Sequence, residues 1–215
     1  MTAMTIKHHI SDALLMGYAA GTLPEAFSLV IATHVSLCDD CRAQLAAYEA
    51  VGGALVEDQV AAMQDDALSA CMARLAGPAP VAAPQPVRQG ILPGPLAQYV
   101  GGDLSAVKWK SLGNGVRQAI LPTARGSSAR LLHIPAGMAV PDHSHGGLEL
   151  TLVLQGAFRD AAGLYGPGDV ETATEAVDHT PIAEPGADCI CLAATDAPLK
   201  FHGFFPRLLQ PFFRI

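Results

Sequence analysis

GMAVPDHSHGGLELTLVLQG, residues 137–156, sets two histidines, a glutamate and two flanking glycines at the spacing G-x5-H-x-H-x3-E-x6-G. On an extended strand, His143 and His145 lie two apart and point to one face. Glu149 can join them after the Gly146-Gly147 bend. Three such ligands and one more imidazole make a site for a divalent cation inside a small barrel, and zinc, iron, manganese and nickel are hard to separate on ligand type alone. The fourth ligand is expected at His179, because Gly168-Asp169 reads as the turn into a later strand and His179 follows Gly168 by eleven residues. The plainer alternative is a set of histidines that merely line a core.

The surroundings of this stretch support a barrel. From residue 97 onward the texture is short apolar runs broken by Gly, Pro and Asp, such as GVRQAIL, ARLLHI, LELTLVL and DCICLAA. That spacing predicts an antiparallel sandwich or barrel. Cys189 and Cys191 alternate on one such run, so both face one way and read as core thiols, with a redox-sensing pair as the sharper alternative. His133 and His202 read as ordinary strand or surface residues. The Phe-rich end, FFPRLLQPFFRI, is expected to cover a barrel face.

Together these features resemble the cupin family of double-stranded β-helix barrels, whose two motifs supply three histidines and one glutamate. The first motif is a full match. The second keeps Gly168 and His179, but Thr174 and Ala176 stand where proline and glycine are usual, and Ala183 where asparagine is. The resemblance implies a metal site of His143, His145, Glu149 and His179, holding zinc, with iron, manganese or nickel as alternatives, and leaves the shape of the second loop open.

Residues 77–96, GPAPVAAPQPVRQGILPGPL, are proline-rich and read as a semi-rigid linker unable to sustain a helix. Before them the pattern is helical. Ser11 is a plausible N-cap for a first helix ending at Gly21, and Pro24 suits the first turn of a second reaching about Leu37. A third runs from Cys38 or Asp39 to about Glu57, and a fourth over Val60–Leu75, with Cys71 as an inert small hydrophobe. Short and rich in small residues, these helices give a thin core, which a structural metal would staple.

That metal has an evident cradle in HVSLCDDC, residues 34–41. Zinc prefers tetrahedral sulfur and nitrogen ligands, and a CxxC turn lets Cys38 and Cys41 approach one ion without strain. His34 lies one helical turn before Cys38 and can reach the same ion. The fourth ligand is then His8 or His9, the other histidines before the linker. With the first helix between, the ion would pin the N-terminus to the second and third helices. The alternative is an exposed acidic turn with idle thiols; a catalytic site is disfavoured because no acid or base clusters beside it.

Composition narrows the function. The chain is 50% hydrophobic, yet no run approaches the roughly 18 apolar residues of a membrane span. The start has no basic segment followed by an apolar one, so the cytoplasm is expected. Five cysteines, an odd number, point to metal ligands or core thiols rather than to a disulfide framework. Up to Arg74 there are 3 basic residues against 9 acidic, a net of −6; from residue 97 onward the count is 9 against 11, a net of −2. Such an N-terminal segment is repelled by nucleic acid and suits a basic protein partner.

The string HHISDALLMGYAAGTLPEA, followed by ATHVSLCDDCR, resembles the zinc-binding domain of bacterial anti-sigma factors of the ChrR type. The likeness runs in order from Met4 to Ile215. It implies an α plus β protein of several domains: a small zinc-stapled helical domain over 1–76, the linker over 77–96, and a cupin barrel over 97–215. It implies zinc on His9, His34, Cys38 and Cys41. It also implies an extracytoplasmic-function sigma factor as partner, held inactive until an oxidative signal such as singlet oxygen ends the inhibition, and no catalytic role. The competing expectation is a metal-dependent cupin dioxygenase or isomerase with an accessory zinc domain.

Overall fold

The computed structural model describes residues 5–59, 61–77, 90–175, 178–198 and 200–201. His202, the Phe-rich end, Ala176, and most of the proline-rich segment lie outside these residues.

Among the described residues four helices precede that segment: α1 (Asp12–Ala19), α2 (Glu25–Val35), α3 (Asp39–Glu57) and α4 (Ala67–Leu75). Ser11 occupies the N-cap of α1 without a side-chain bond to the helix, and Gly21 follows α1 with φ +66°, a backbone that glycine adopts without strain. The fourth helix is shorter than the expected Val60–Leu75. Residues 61–64 are irregular, and α4 starts only after the turn at Asp65 and Asp66. Cys71 on α4 is exposed rather than packed.

The proline-rich segment is not irregular to its end, as a linker over 77–96 would be. Its last residues form part of α5 (Gly94–Val100), with Pro93 as N-cap and Pro95 in the first turn. Proline is tolerated there because a first-turn N–H has no partner within the helix.

After a short 3-10 turn at Leu104–Ala106, the regular structure among the remaining described residues is antiparallel β. One sheet has the order β1-β2-β3-β11-β5-β8, made of Lys110–Gly113, Val116–Leu121, Ser128–Ile134, Cys189–Thr195, Glu149–Gln155 and Val170–Ala173. Two three-stranded sheets complete the barrel. The first is ordered β10-β6-β7 (Ile182–Ala183, Phe158–Arg159, Leu164–Tyr165), the second β12-β4-β9 (Lys200–Phe201, His143–Ser144, Asp178–His179).

The central strands are covered on both faces, which is why β11 reads as a continuous apolar run and all seven of its residues are buried. Ile190, Leu192 and Ala194 of β11, with Leu150 and Leu152 of β5 and Leu131 of β3, belong to one apolar cluster with Phe27, Val30 and Ile31 of α2. The opposite faces bring Cys189, Cys191, Val153 and Ile134 against Phe158 and Tyr165 inside the barrel. The cysteine pair therefore packs in the core, its Sγ atoms 3.5 Å apart.

The thin core expected of the helical part is thus augmented. Helix α2 is buried on most sides, at Ala26, Phe27, Leu29, Val30, Ile31, Thr33 and His34, because the sheet supplies a surface that α1 and α3 alone do not. Glu25 at its start accepts hydrogen bonds from the Tyr99 hydroxyl of α5 (2.8 Å) and the Ala124 amide (2.5 Å). Those two bonds hold the Glu25 carboxyl below its ordinary range, the Ala124 amide contributing most.

Candidate metal centres

The first cluster forms where α2 ends and α3 begins. Cys38 is the N-cap of α3, and its Sγ accepts from the Cys41 amide, the geometry that lets the two sulfurs of a CxxC turn face one point. The extended N-terminal segment delivers the fourth group. Neighbouring side chains on extended backbone point in opposite directions, so His8 and His9 part company. The His8 ring packs 4.4 Å from that of Tyr165 and lies 3.5 Å from Asp169 Oδ2. The His9 Nδ1 lies 3.3 Å from Cys38 Sγ and 3.6 Å from Cys41 Sγ. One candidate ligand atom from each of His9, His34, Cys38 and Cys41 lies within 4.8 Å of the others.

The donor set fits a cation. The His34 Nδ1–H donates to the Gly168 carbonyl at 2.9 Å, so its Nε2 presents a lone pair, and that buried atom has no hydrogen-bond partner among the described residues. A buried acceptor left unpaired costs about 1–3 kcal/mol, which a bound cation would recover. Burial pushes the Cys41 thiol up to about 11, so a positive charge is needed to keep it as thiolate.

The second cluster lies inside the barrel. Strands β4 and β9 pair so that His143 stands opposite His179, and His145 follows immediately after β4. Their Nε2 atoms converge: that of His179 is 3.1 Å from that of His145 and 3.3 Å from that of His143. All three residues are buried. The outward nitrogens are anchored, with His143 Nδ1–H donating to the Pro141 carbonyl at 2.8 Å and His179 Nδ1–H shared between Asp160 (2.9 Å) and Glu171 (3.1 Å). Three converging nitrogens, two of them held from behind, suit a divalent cation.

Glu149, at the start of β5, stands to one side of this group. Its Oε2 is 3.6 Å from His145 Nδ1 and its Oε1 accepts from the Thr151 hydroxyl at 3.1 Å. Burial opposes charge on Glu149, but the imidazoles of His145 and His143 hold it below the ordinary carboxylate range. Beside the histidines a cavity of about 360 Å³ opens, lined by Asp142, Arg159, Asp160, His179 and Thr180. His133 takes no part; its Nε2 lies 3.1 Å from Asp188.

Sequence reasoning missed Asp160 and Glu171. Burial raises Glu171 above its ordinary value, while His179, placed between the two carboxylates, is pushed up to about 9 against the opposing effect of burial. One signal was present: Glu171 is an acidic residue two positions after Asp169, on a strand whose alternation turns it inward.

Comparison with known proteins follows the same division. A ChrR cupin-like domain matches residues 97–198. The anti-sigma-E factor ChrR of Cereibacter sphaeroides is 60% identical over 215 residues, covering 99% of this chain and 100% of that protein. The crystal structure of Rhodobacter sphaeroides SigE in complex with the anti-sigma ChrR contains a chain matched with a TM-score of 0.79 at 57% identity, over 89% of this chain and 100% of that one. With helices, barrel and both clusters in a chain matched from end to end, this protein belongs to the ChrR family of anti-sigma factors.

Proposed function

We propose that this protein binds an extracytoplasmic-function sigma factor through its helical part, residues 1–76, and keeps it from RNA polymerase, while the barrel, residues 97–215, governs release. The role is regulatory rather than catalytic. The observation that carries it is an apolar stripe in a chain that matches an anti-sigma factor from end to end. Val51 and Leu55 on α3, then Leu68, Met72 and Leu75 on α4, are all more than half exposed, and α4 buries none of its residues. An unpacked amphipathic helix of this kind is a surface for a partner. The solved relative was crystallised with SigE. Sigma factors present basic helices to DNA and polymerase, and a helical segment of net −6 is a fitting competitor for them.

Zinc is the cation we assign to His9, His34, Cys38 and Cys41, because paired thiolates favour it. For His143, His145, Glu149 and His179 zinc is again the assignment; imidazole and carboxylate would also suit iron, manganese or nickel. The cavity beside His179 gives an oxidant or other small molecule a route to the barrel cluster, which suits an oxidative signal. We place the protein in the cytoplasm, where its partner acts; no helix among the described residues is long and apolar enough to cross a membrane.

The test uses the full chain with an extracytoplasmic-function sigma factor from the same source. Cys38→Ser or Cys41→Ser is expected to abolish co-elution and transcriptional repression, since structural zinc supplies on the order of 10 kcal/mol to a small site. A variant that loses zinc and still represses would overturn the role given to the metal. His143→Ala or Glu149→Ala is expected to leave repression intact and blunt release; loss of sigma binding would overturn the division of labour.

A further inference from the structure

Four consecutive barrel residues each bond either a cluster histidine or the segment that leads into His9. The Gly168 carbonyl accepts from His34 Nδ1–H at 2.9 Å. Asp169 Oδ1 accepts from the Lys7 and His8 amides at 2.6 and 2.9 Å. The Val170 amide donates to the His8 carbonyl at 3.1 Å, so the segment that delivers His9 is bonded to the edge of β8. Glu171 Oε1 accepts from His179 Nδ1–H at 3.1 Å.

The junction is tight. Asp169 is only 5% exposed and its other oxygen takes the Gly166 amide at 2.8 Å. Release of the N-terminal segment would leave a buried carboxylate short of two donors. At Gly168, with φ +91°, an added Cβ would meet Ile6 at 2.6 Å. The two clusters are therefore joined through one short, packed run of backbone and hydrogen bonds.

We propose that residues 168–171 couple the two centres, so that a cation on the barrel histidines strengthens cation binding by His9, His34, Cys38 and Cys41. The inference rests on the reading that both clusters bind metal. A cation on His179 Nε2 makes its Nδ1–H a stronger donor and fixes Glu171. With β8 fixed, Gly168 and Asp169 hold the ring of His34 and the backbone before His9 in place. Coupling of this kind is reciprocal. In this scheme Glu171 and Asp169 are positioning residues, and disturbance of the barrel is felt where the partner is gripped.

Cobalt(II) separates the two clusters, because thiolate-to-metal charge-transfer absorption arises from Cys38 and Cys41 and not from imidazoles or carboxylates. Cobalt titration of the full chain is compared with that of a His143→Ala, His145→Ala chain, each with and without Asp169→Asn. The expected result is at least about fivefold weaker binding at the thiolate site when the barrel histidines are removed, falling below about twofold in the Asp169→Asn background. Equal affinity in the two chains that retain Asp169 overturns the proposal, as does a fivefold difference that survives Asp169→Asn. Should the Asp169→Asn chain fail to fold, hydrogen exchange decides. With both remaining chains saturated with zinc, the Lys7 and His8 amides are expected to exchange at least about fivefold faster without the barrel histidines, and equal rates overturn the proposal. Sigma binding is measured alongside. Lost coupling with binding intact sinks this inference alone; coupling without binding sinks the anti-sigma reading alone.

Discussion

His8 and His9 show how much a single peptide unit decides. Equivalent in composition, they are sent by extended backbone to a Tyr165–Asp169 contact on one side and to the thiols on the other. Period-two alternation made His143 and His145 legible in the sequence, since it needs no knowledge of the fold. Alternation could place Glu171 inward but not behind His179, and Asp160 was not legible at all, because their shared role depends on β8, β9 and the turn after β6 meeting. Gly156, which closes the first motif, has a reason of its own. With φ +67°, an added Cβ would stand 2.6 Å from the Asp188 carbonyl oxygen. Gly156→Ala is expected to cost about 2–3 kcal/mol, read as a lowered midpoint in urea with the slope unchanged.

At the level of elements, α2 and α4 make opposite uses of apolar residues. Helix α2 hides them against the sheet, whereas α4 displays them. Leu68→Asp with Met72→Asp should shift stability by no more than about 0.5 kcal/mol, as surface changes do. The same pair should weaken sigma binding at least tenfold, because removing a large apolar anchor from an interface costs upwards of about 2 kcal/mol. Calorimetry and a binding titration check the two halves. Helix α2 is also tied down through Glu25. Its depressed carboxyl contributes stability that is present above the ordinary range near 4.5 and lost as pH falls through the folded-state value. Thermal unfolding of Glu25→Gln should therefore differ from that of the unaltered chain at neutral pH and converge with it in acid. The extents of α1 and α3 were legible from caps, glycine and CxxC; the short α4 and the α5 turn were not, since propensity alone carries no information on where tertiary contacts begin.

For the molecule as a whole, the shared cluster around Phe27, Leu131, Leu152 and Leu192 packs α1, α2, α5 and the start of α3 with the barrel, and leaves α4 outside it, in the described residues. The sequence announced two patterns, helical and β, but the surface between them is apolar on both sides, and nothing in either pattern says which apolar face meets which. A shared core predicts one cooperative transition in calorimetry for the zinc-loaded chain, with calorimetric and van't Hoff enthalpies equal. Two separated transitions, one lost with Cys38→Ser, would show instead that the helices melt by themselves.

The position of β11 carries a consequence for biosynthesis. Residues 189–195 come late in the chain, yet they run down the middle of the large sheet, bonded to β3 on one side and β5 on the other. The ribosome, adding about 5–20 residues per second, releases α2 many seconds before the strand that will cover it. Until then its apolar side is only partly covered, and a nascent chain stalled short of Cys189 has a grip without a complete floor. Quality control of such fragments, rather than their affinity, would decide whether a truncated product ever silences a sigma factor.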